Sequence, residues 1–210
     1  MIARVLDITA YSEQLYRKNI DNREEKTMTA QNKMNAGKQI TGQALYTRQK
    51  NNVQSSAHRH APTIICDGLQ TPENLGSILR IADAAGSKKI ILLDSKLDLE
   101  NKKLSKIARS TEKYISIEKC SLQHIKQHHS DYKALFALEI TDRSENIYET
   151  RISHCDAILL GHEATGIREE ALALCHSAIH LPMFGTNGSM NISHALAICL
   201  YEWRRQQHSA

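Results

Sequence analysis

Apolar residues recur along residues 61–182 in short continuous runs, and helical spacing fills the stretches between them. The runs predict strands at residues 63–66, 89–94, 114–117, 134–140, 157–160 and 178–182. Between and after them the spacing predicts helices at 75–85, closed by Gly86, and at 101–109. Further helices are expected at 121–129, with Ser121 as N-cap, at 168–175 and at 189–205. Uninterrupted apolar strands separated by helices imply a parallel sheet covered on both faces, an α/β domain over residues 61–210. Before residue 61 the pattern fades. A short helix is expected over 11–25, anchored weakly by Leu15 and Ile20, followed by a flexible linker over 26–60 rich in Asn, Gln, Lys and Thr.

Composition narrows the class. The chain has 210 residues, 41% hydrophobic and 24% charged. No apolar run approaches the roughly 20 residues that span a bilayer. The first residues carry Asp7 and lack a long apolar core, so no signal peptide is expected. Cysteines 66, 120, 155, 175 and 199 are scattered and never form Cys-x-x-Cys, the usage of reduced thiols in a cytoplasmic protein.

Charge is informative once located. Residues 1–60 hold ten Lys/Arg against five Asp/Glu, while 61–210 hold seventeen against eighteen. No acid falls between Glu25 and Asp67, whereas Lys26, Lys33, Lys38, Arg48, Lys50 and Arg59 do. The N-terminal extension therefore carries all the excess positive charge, which suits a polyanion as well as it suits a merely solvated tail.

Three loops leave strand ends where an open parallel sheet binds ligands. The first holds Asn74, Gly76 and Arg80; a bare Gly76 leaves room for Arg80 to fold back along its helix. The second, Leu160 to Ile167, brackets Glu163 between Gly161 and Gly166. Two readings of Glu163 stand: a ligand acceptor, or a cap on the N–H groups of its own following turn. The third runs from Pro182 through Gly185 and Gly188 to Ser189, Asn191 and Ser193 at a helix mouth, with more polar groups than capping requires. His124, His128 and His129 lack the acids or cysteines of a zinc set, so no metal is expected. Gly68 and Gly76, eight apart, do not make a dinucleotide fingerprint; only the βαβ pattern and Asp94 favour a dinucleotide-binding enzyme.

Taken together, the loops resemble the three motifs of the SpoU (TrmH-like) branch of the SPOUT RNA methyltransferases. Pro72-Glu-Asn74-Leu-Gly76-Ser-Ile-Leu-Arg80 resembles the first and Leu160 to Gly166 the second. Leu181-Pro-Met-Phe-Gly-Thr-Asn-Gly-Ser-Met-Asn-Ile-Ser193 resembles the third. The departures are mild: Leu181, Met190 and Ile192 stay apolar, and His162 and Ala164 stand where serine and glycine are commoner. Arg109-Ser-Thr-Glu-Lys113 looks like the family's basic segment before the third strand.

The resemblance implies a parallel-sheet SPOUT fold with a C-terminal trefoil knot, preceded by the basic, partly flexible arm of residues 1–60. It implies a homodimer joined through knot helices, and S-adenosyl-L-methionine bound by Gly161, Leu181, Met190, Ser189 and Leu138. It implies methyl transfer to a ribose 2′-hydroxyl of structured RNA, tRNA or rRNA, with Arg80, Asn74, Glu163, Ser189 and Asn191 as the catalytic set. Because an arginine is effectively always protonated, Arg80 reads as an electrostatic stabiliser rather than a base. No metal is called for, since the sulfonium already carries a good leaving group. Arg80, Arg109, Lys113, Lys33, Lys38, Arg48 and Lys50 are the expected RNA contacts. The alternative is a non-catalytic RNA-binding protein on the same fold.

Overall fold

The computed structural model describes residue 37, residues 39–45 and 47–48, and residues 61–208. It divides into two units, Met1–Ala57 and His58–Ala210. In the first, residues 42–45 and 47–48 are helical rather than the expected flexible linker. Thr41 starts this segment: its Oγ1 accepts from Ala44 N (3.3 Å) and its carbonyl from Leu45 N (3.0 Å). The helix expected over 11–25 lies outside the described residues.

The second unit is built on a seven-stranded sheet. In chain order its strands are β1 (Thr63–Asp67), β2 (Lys89–Leu93), β3 (Ser116–Cys120), β4 (Leu135–Leu138), β5 (Glu145–Asn146), β6 (Ala157–Leu160) and β7 (Ser177–His180). They lie in the order β3-β2-β1-β6-β4-β7-β5, and every pairing is parallel. The helices are α1 (Pro72–Ala85), α2 (Lys102–Ala108), α3 (Leu122–His128), α4 (Glu169–Leu172) and α5 (Ile192–His208).

Strand alternation sorts the core into two layers. Ile64, Cys66, Leu92, Phe136, Ile158 and Leu160 pack with Leu75, Ile78 and Leu79 of α1 and Leu196, Leu200 and Trp203 of α5. On the opposite face Ile65, Ile91, Leu93, Leu135 and Leu159 pack with Ile125 of α3 and Ala171 of α4. Both faces are thus covered, as continuous apolar strands require.

Several boundaries differ from those the pattern predicts, each for a local reason. The third strand begins at Ser116, not at 114, because residues 111–113 form a 3-10 turn that leaves Tyr114 outside the ladder and 70% exposed. As an edge strand it carries Glu118 and Lys119 in place of an apolar run, and Glu118 pairs with Lys89 of β2 at 2.9 Å. The helix expected over 168–175 is shorter, with Arg168 as its N-cap. Gly86 closes α1 in the left-handed conformation (φ 84°), its N–H reaching the carbonyls of Ala82 and Asp83. Ser121 caps α3, accepting from His124 N.

Candidate active site

Because all strands are parallel, the loops after β1, β6 and β7 emerge at one edge of the sheet. The β6 loop folds first on itself. His162 N donates to the Gly166 carbonyl (2.9 Å) and Gly166 N to the His162 carbonyl (3.0 Å). That closure needs a glycine at 161, since a Cβ there would lie 2.3 Å from the Gly166 carbonyl carbon. The turn presents Glu163 outward, toward the β1 loop.

Glu163 engages a loop distant in sequence, not the N–H groups of its own following turn. Its Oε1 accepts from Thr71 Oγ1 (2.6 Å), Asn74 Nδ2 (3.0 Å) and Thr71 N (3.2 Å). Thr71 is the N-cap residue of α1 and has no capping bond from its own side chain, so the carboxylate of a distant loop supplies the acceptor. Burial works to raise the Glu163 pKa, but the donors Thr71 and Asn74, with backbone N–H groups, outweigh it and hold the carboxyl below its ordinary value.

The network continues into the third loop. Asn74 Oδ1 accepts from Asn191 Nδ2 (2.9 Å), and Asn191 Oδ1 accepts from Ser193 N (2.9 Å) and Ser193 Oγ (2.7 Å). The final helix begins at Ile192 and not at 189, because Asn191 serves as its cap while its amide reaches across to Asn74. Thus Glu163, Asn74, Asn191 and Ser193 form one unbroken chain through all three loops, with each amide's orientation fixed by its neighbours.

Behind this chain lies a cavity of about 560 Å³. Asn74, Leu138, Gly161, Glu163, Leu181, Ser189, Met190 and Asn191 all line it. Leu181 is buried and Met190 is 38% exposed, so the apolar wall runs from the core to the rim. Sequence reasoning missed Glu139, His180 and Met183, which also face it. Glu139 carried no motif signal, yet its Oε2 accepts from Ile167 N (3.2 Å) and so braces the β6 loop from β4's end.

Not every expected residue gathers here. Arg80 is exposed on α1 and outside this cavity, without a hydrogen bond or ion pair to the described residues. Gly76 does not leave room for it: a Cβ at 76 would meet Ile107 Cγ2 at 2.7 Å, so the bare position seats α2. Arg109 and Lys113 are exposed between α2 and β3 and belong neither to this cavity's lining nor to the network, although the neighbouring Ile107 and Ala108 pack against Gly76 of α1. Arg48 is exposed in the first unit, and Lys33, Lys38 and Lys50 lie outside the described residues. His124 and His128 stack at 4.2 Å between ring centroids, and His128 Nδ1 bonds the His124 carbonyl.

A family model for the SpoU rRNA methylase family matches residues 61–201, which takes in all three loops and the sheet. The chain belongs to the SpoU rRNA methylase family. A relative in that family is the 23S rRNA (guanosine-2′-O-)-methyltransferase RlmB of Haemophilus influenzae, 33% identical over 149 residues. The alignment covers 69% of this chain and 59% of that protein, so the chain spans less than two thirds of the curated relative's length. Among solved structures, an AdoMet-bound rRNA methyltransferase from Sinorhizobium meliloti superposes with a TM-score of 0.64 and 23% identity, over 73% of this chain and 59% of that one. The A. aeolicus TrmH/SpoU tRNA modifying enzyme superposes with a TM-score of 0.65 and 23% identity, over 79% and 85%. These likenesses give the SpoU chain the parallel α/β fold of SPOUT methyltransferases.

Proposed function

We propose that this SpoU-family chain transfers a methyl group from S-adenosyl-L-methionine to a ribose 2′-hydroxyl of structured RNA. The observation that carries the reading is the Glu163–Asn74–Asn191–Ser193 chain, which draws the family's three motifs around one cavity. A cavity of about 560 Å³ suits a cofactor-sized ligand. Leu138, Leu181 and Met190 supply apolar wall, and Gly161 admits close approach of backbone, so the donor set fits the cofactor. Bound there, the sulfonium supplies the activated methyl group.

The protein's own task is to orient the ribose and favour alkoxide character at its 2′-oxygen. Ser189, exposed at the rim, hydrogen-bonds the ribose; Asn191 and Asn74, held by Glu163, fix the loop that presents it. Arg80, which no described side chain occupies, stabilises developing negative charge on the oxygen or the adjoining phosphate. Family membership supports a C-terminal trefoil knot, and β7 lying across β4 from β6 is compatible with such threading. Ile198 and Tyr201, exposed on α5, support a homodimer formed through that helix. Residues 61–210 constitute the methyltransferase domain and residues 1–60 an RNA-anchoring arm, in a protein of the cytoplasm.

The test is to incubate the chain with methyl-labelled S-adenosyl-L-methionine and total RNA, then locate the label. Label is expected at a ribose 2′-oxygen, and Arg80→Ala should slow its appearance by about 10²-fold. Cofactor binding without label in any RNA would instead indicate a non-catalytic RNA-binding protein. Undiminished transfer by Arg80→Ala would remove that residue from the reaction.

A further inference from the structure

The motif loop after β6 has two sides, and the second borders another cavity, of about 630 Å³. It opens at the ends of β1 and β2, and His162 and Gly166 line it as well as the first cavity. Its walls combine flat groups with unengaged hydrogen-bonding ones. Arg168 donates from Nε to Asp67 Oδ1 (2.8 Å), from its backbone N to Asp67 Oδ2 (3.0 Å), and from Nη2 to both Asp67 and Asp94. Its guanidinium is therefore held as a fixed plane and kept firmly protonated by the Asp67 carboxylate first and Asp94 second, against the effect of burial. His162 Nδ1 accepts from Ala164 N (3.0 Å), which leaves Nε2 as the protonated, donating nitrogen. Gln70, Lys96 and Thr165 also face the cavity and have no partner among the described residues.

The charge balance excludes a phosphate as the natural occupant. Asp67, Asp94 and Asp98 set three carboxylates against the cations of Lys96 and Arg168, and Arg168 is already engaged. What remains is a planar ligand with both donors and acceptors along its edge. Unstacked RNA bases are held in this way, against His rings or Arg planes and by hydrogen bonds to their edges.

We propose that this second cavity receives an unstacked nucleobase of the substrate RNA, read by Gln70, Thr165 and His162. Sharing His162 with the first cavity couples base and ribose: a base seated on one side of the loop fixes how its strand crosses to the other. The proposal rests on the methyltransfer reading for its substrate, but its test does not depend on turnover.

Adenosine, guanosine, cytidine and uridine are titrated into the full chain at up to millimolar concentration, with NMR shifts followed residue by residue. At least one nucleoside is expected to move the Gln70 side-chain amide and the Thr165 and His162 resonances. Gln70→Ala and Thr165→Ala should each weaken that binding about tenfold while leaving S-adenosyl-L-methionine affinity within about twofold. Shifts confined to Leu138, Met183 and Ala195, which line only the first cavity, would overturn the proposal, as would no shifts at all. If methyl transfer is absent but Gln70 still responds, the reaction assigned above fails and the base site stands; labelled RNA without any response at Gln70 gives the converse.

Discussion

Two glycines of the site loops show how differently the same residue type is used. At Gly161 an added Cβ would fall 2.3 Å from one backbone carbon and 2.4 Å from the Ile167 nitrogen, and backbone cannot swing aside as a long side chain does. At Gly188 nothing lies within 4 Å. Gly161→Ala is therefore expected to lower unfolding free energy by about 1–3 kcal/mol and to open the loop that carries Glu163. Gly188→Ala should stay within about 0.5 kcal/mol of the parent. Urea denaturation of the two variants, read at constant slope, checks both; equal losses would contradict the packing account. The sequence displays both glycines with equal prominence. Only the self-closure of the β6 loop distinguishes them, and that depends on contacts no local spacing encodes.

Among the elements, α1 and α5 start differently: α1 on a distant carboxylate, α5 on its own preceding asparagine. Thr71 opens α1 without a cap of its own and receives Glu163 instead, while Asn191 caps α5 and simultaneously holds Asn74. This is why the role of Glu163 escapes a reading of periodicity: it is settled by a bond between residues 89 positions apart, whereas the start of the last helix turns on which of several polar residues at 189–193 caps it. The continuous apolar runs of β1, β2, β4 and β6 were legible because those strands are buried on both faces. The edge positions of β3 and the two-residue β5 were not, since edge strands carry polar residues that mimic loops. The long-range cap has a pH consequence. Thr71 and Asn74 hold the folded-state pKa of Glu163 below its unfolded value, so its contribution to stability is complete above the ordinary carboxylate range. It is lost as pH falls through the lowered pKa. Glu163→Gln should therefore unfold at a lower urea midpoint than the parent at pH 7, with the gap closing toward pH 3. A gap that stays constant across that range would assign the loss to the amide's geometry and not to charge.

On the scale of the whole chain, the basic excess and the methyltransferase fold occupy different units. Residues 61–210 are nearly neutral in sum, whereas residues 1–60 hold the surplus of Lys and Arg. Phosphate contacts release counterions, and each one steepens the fall of affinity with salt by about 0.7 to 0.9 in the log–log slope. If the arm is the electrostatic anchor, replacing Lys33, Lys38, Arg48 and Lys50 together by Gln should reduce that slope by about 3. RNA affinity at low salt should fall accordingly, and S-adenosyl-L-methionine affinity should not change, because the described lining of the two cavities comes from residues 67–195. Filter binding of total tRNA and of rRNA across a salt series, beside calorimetry of the cofactor, separates these quantities. An unaltered slope would shift the anchoring to the methyltransferase unit itself, where Arg80, Arg109 and Lys113 are the exposed candidates, and would leave the arm's charge to solubility alone.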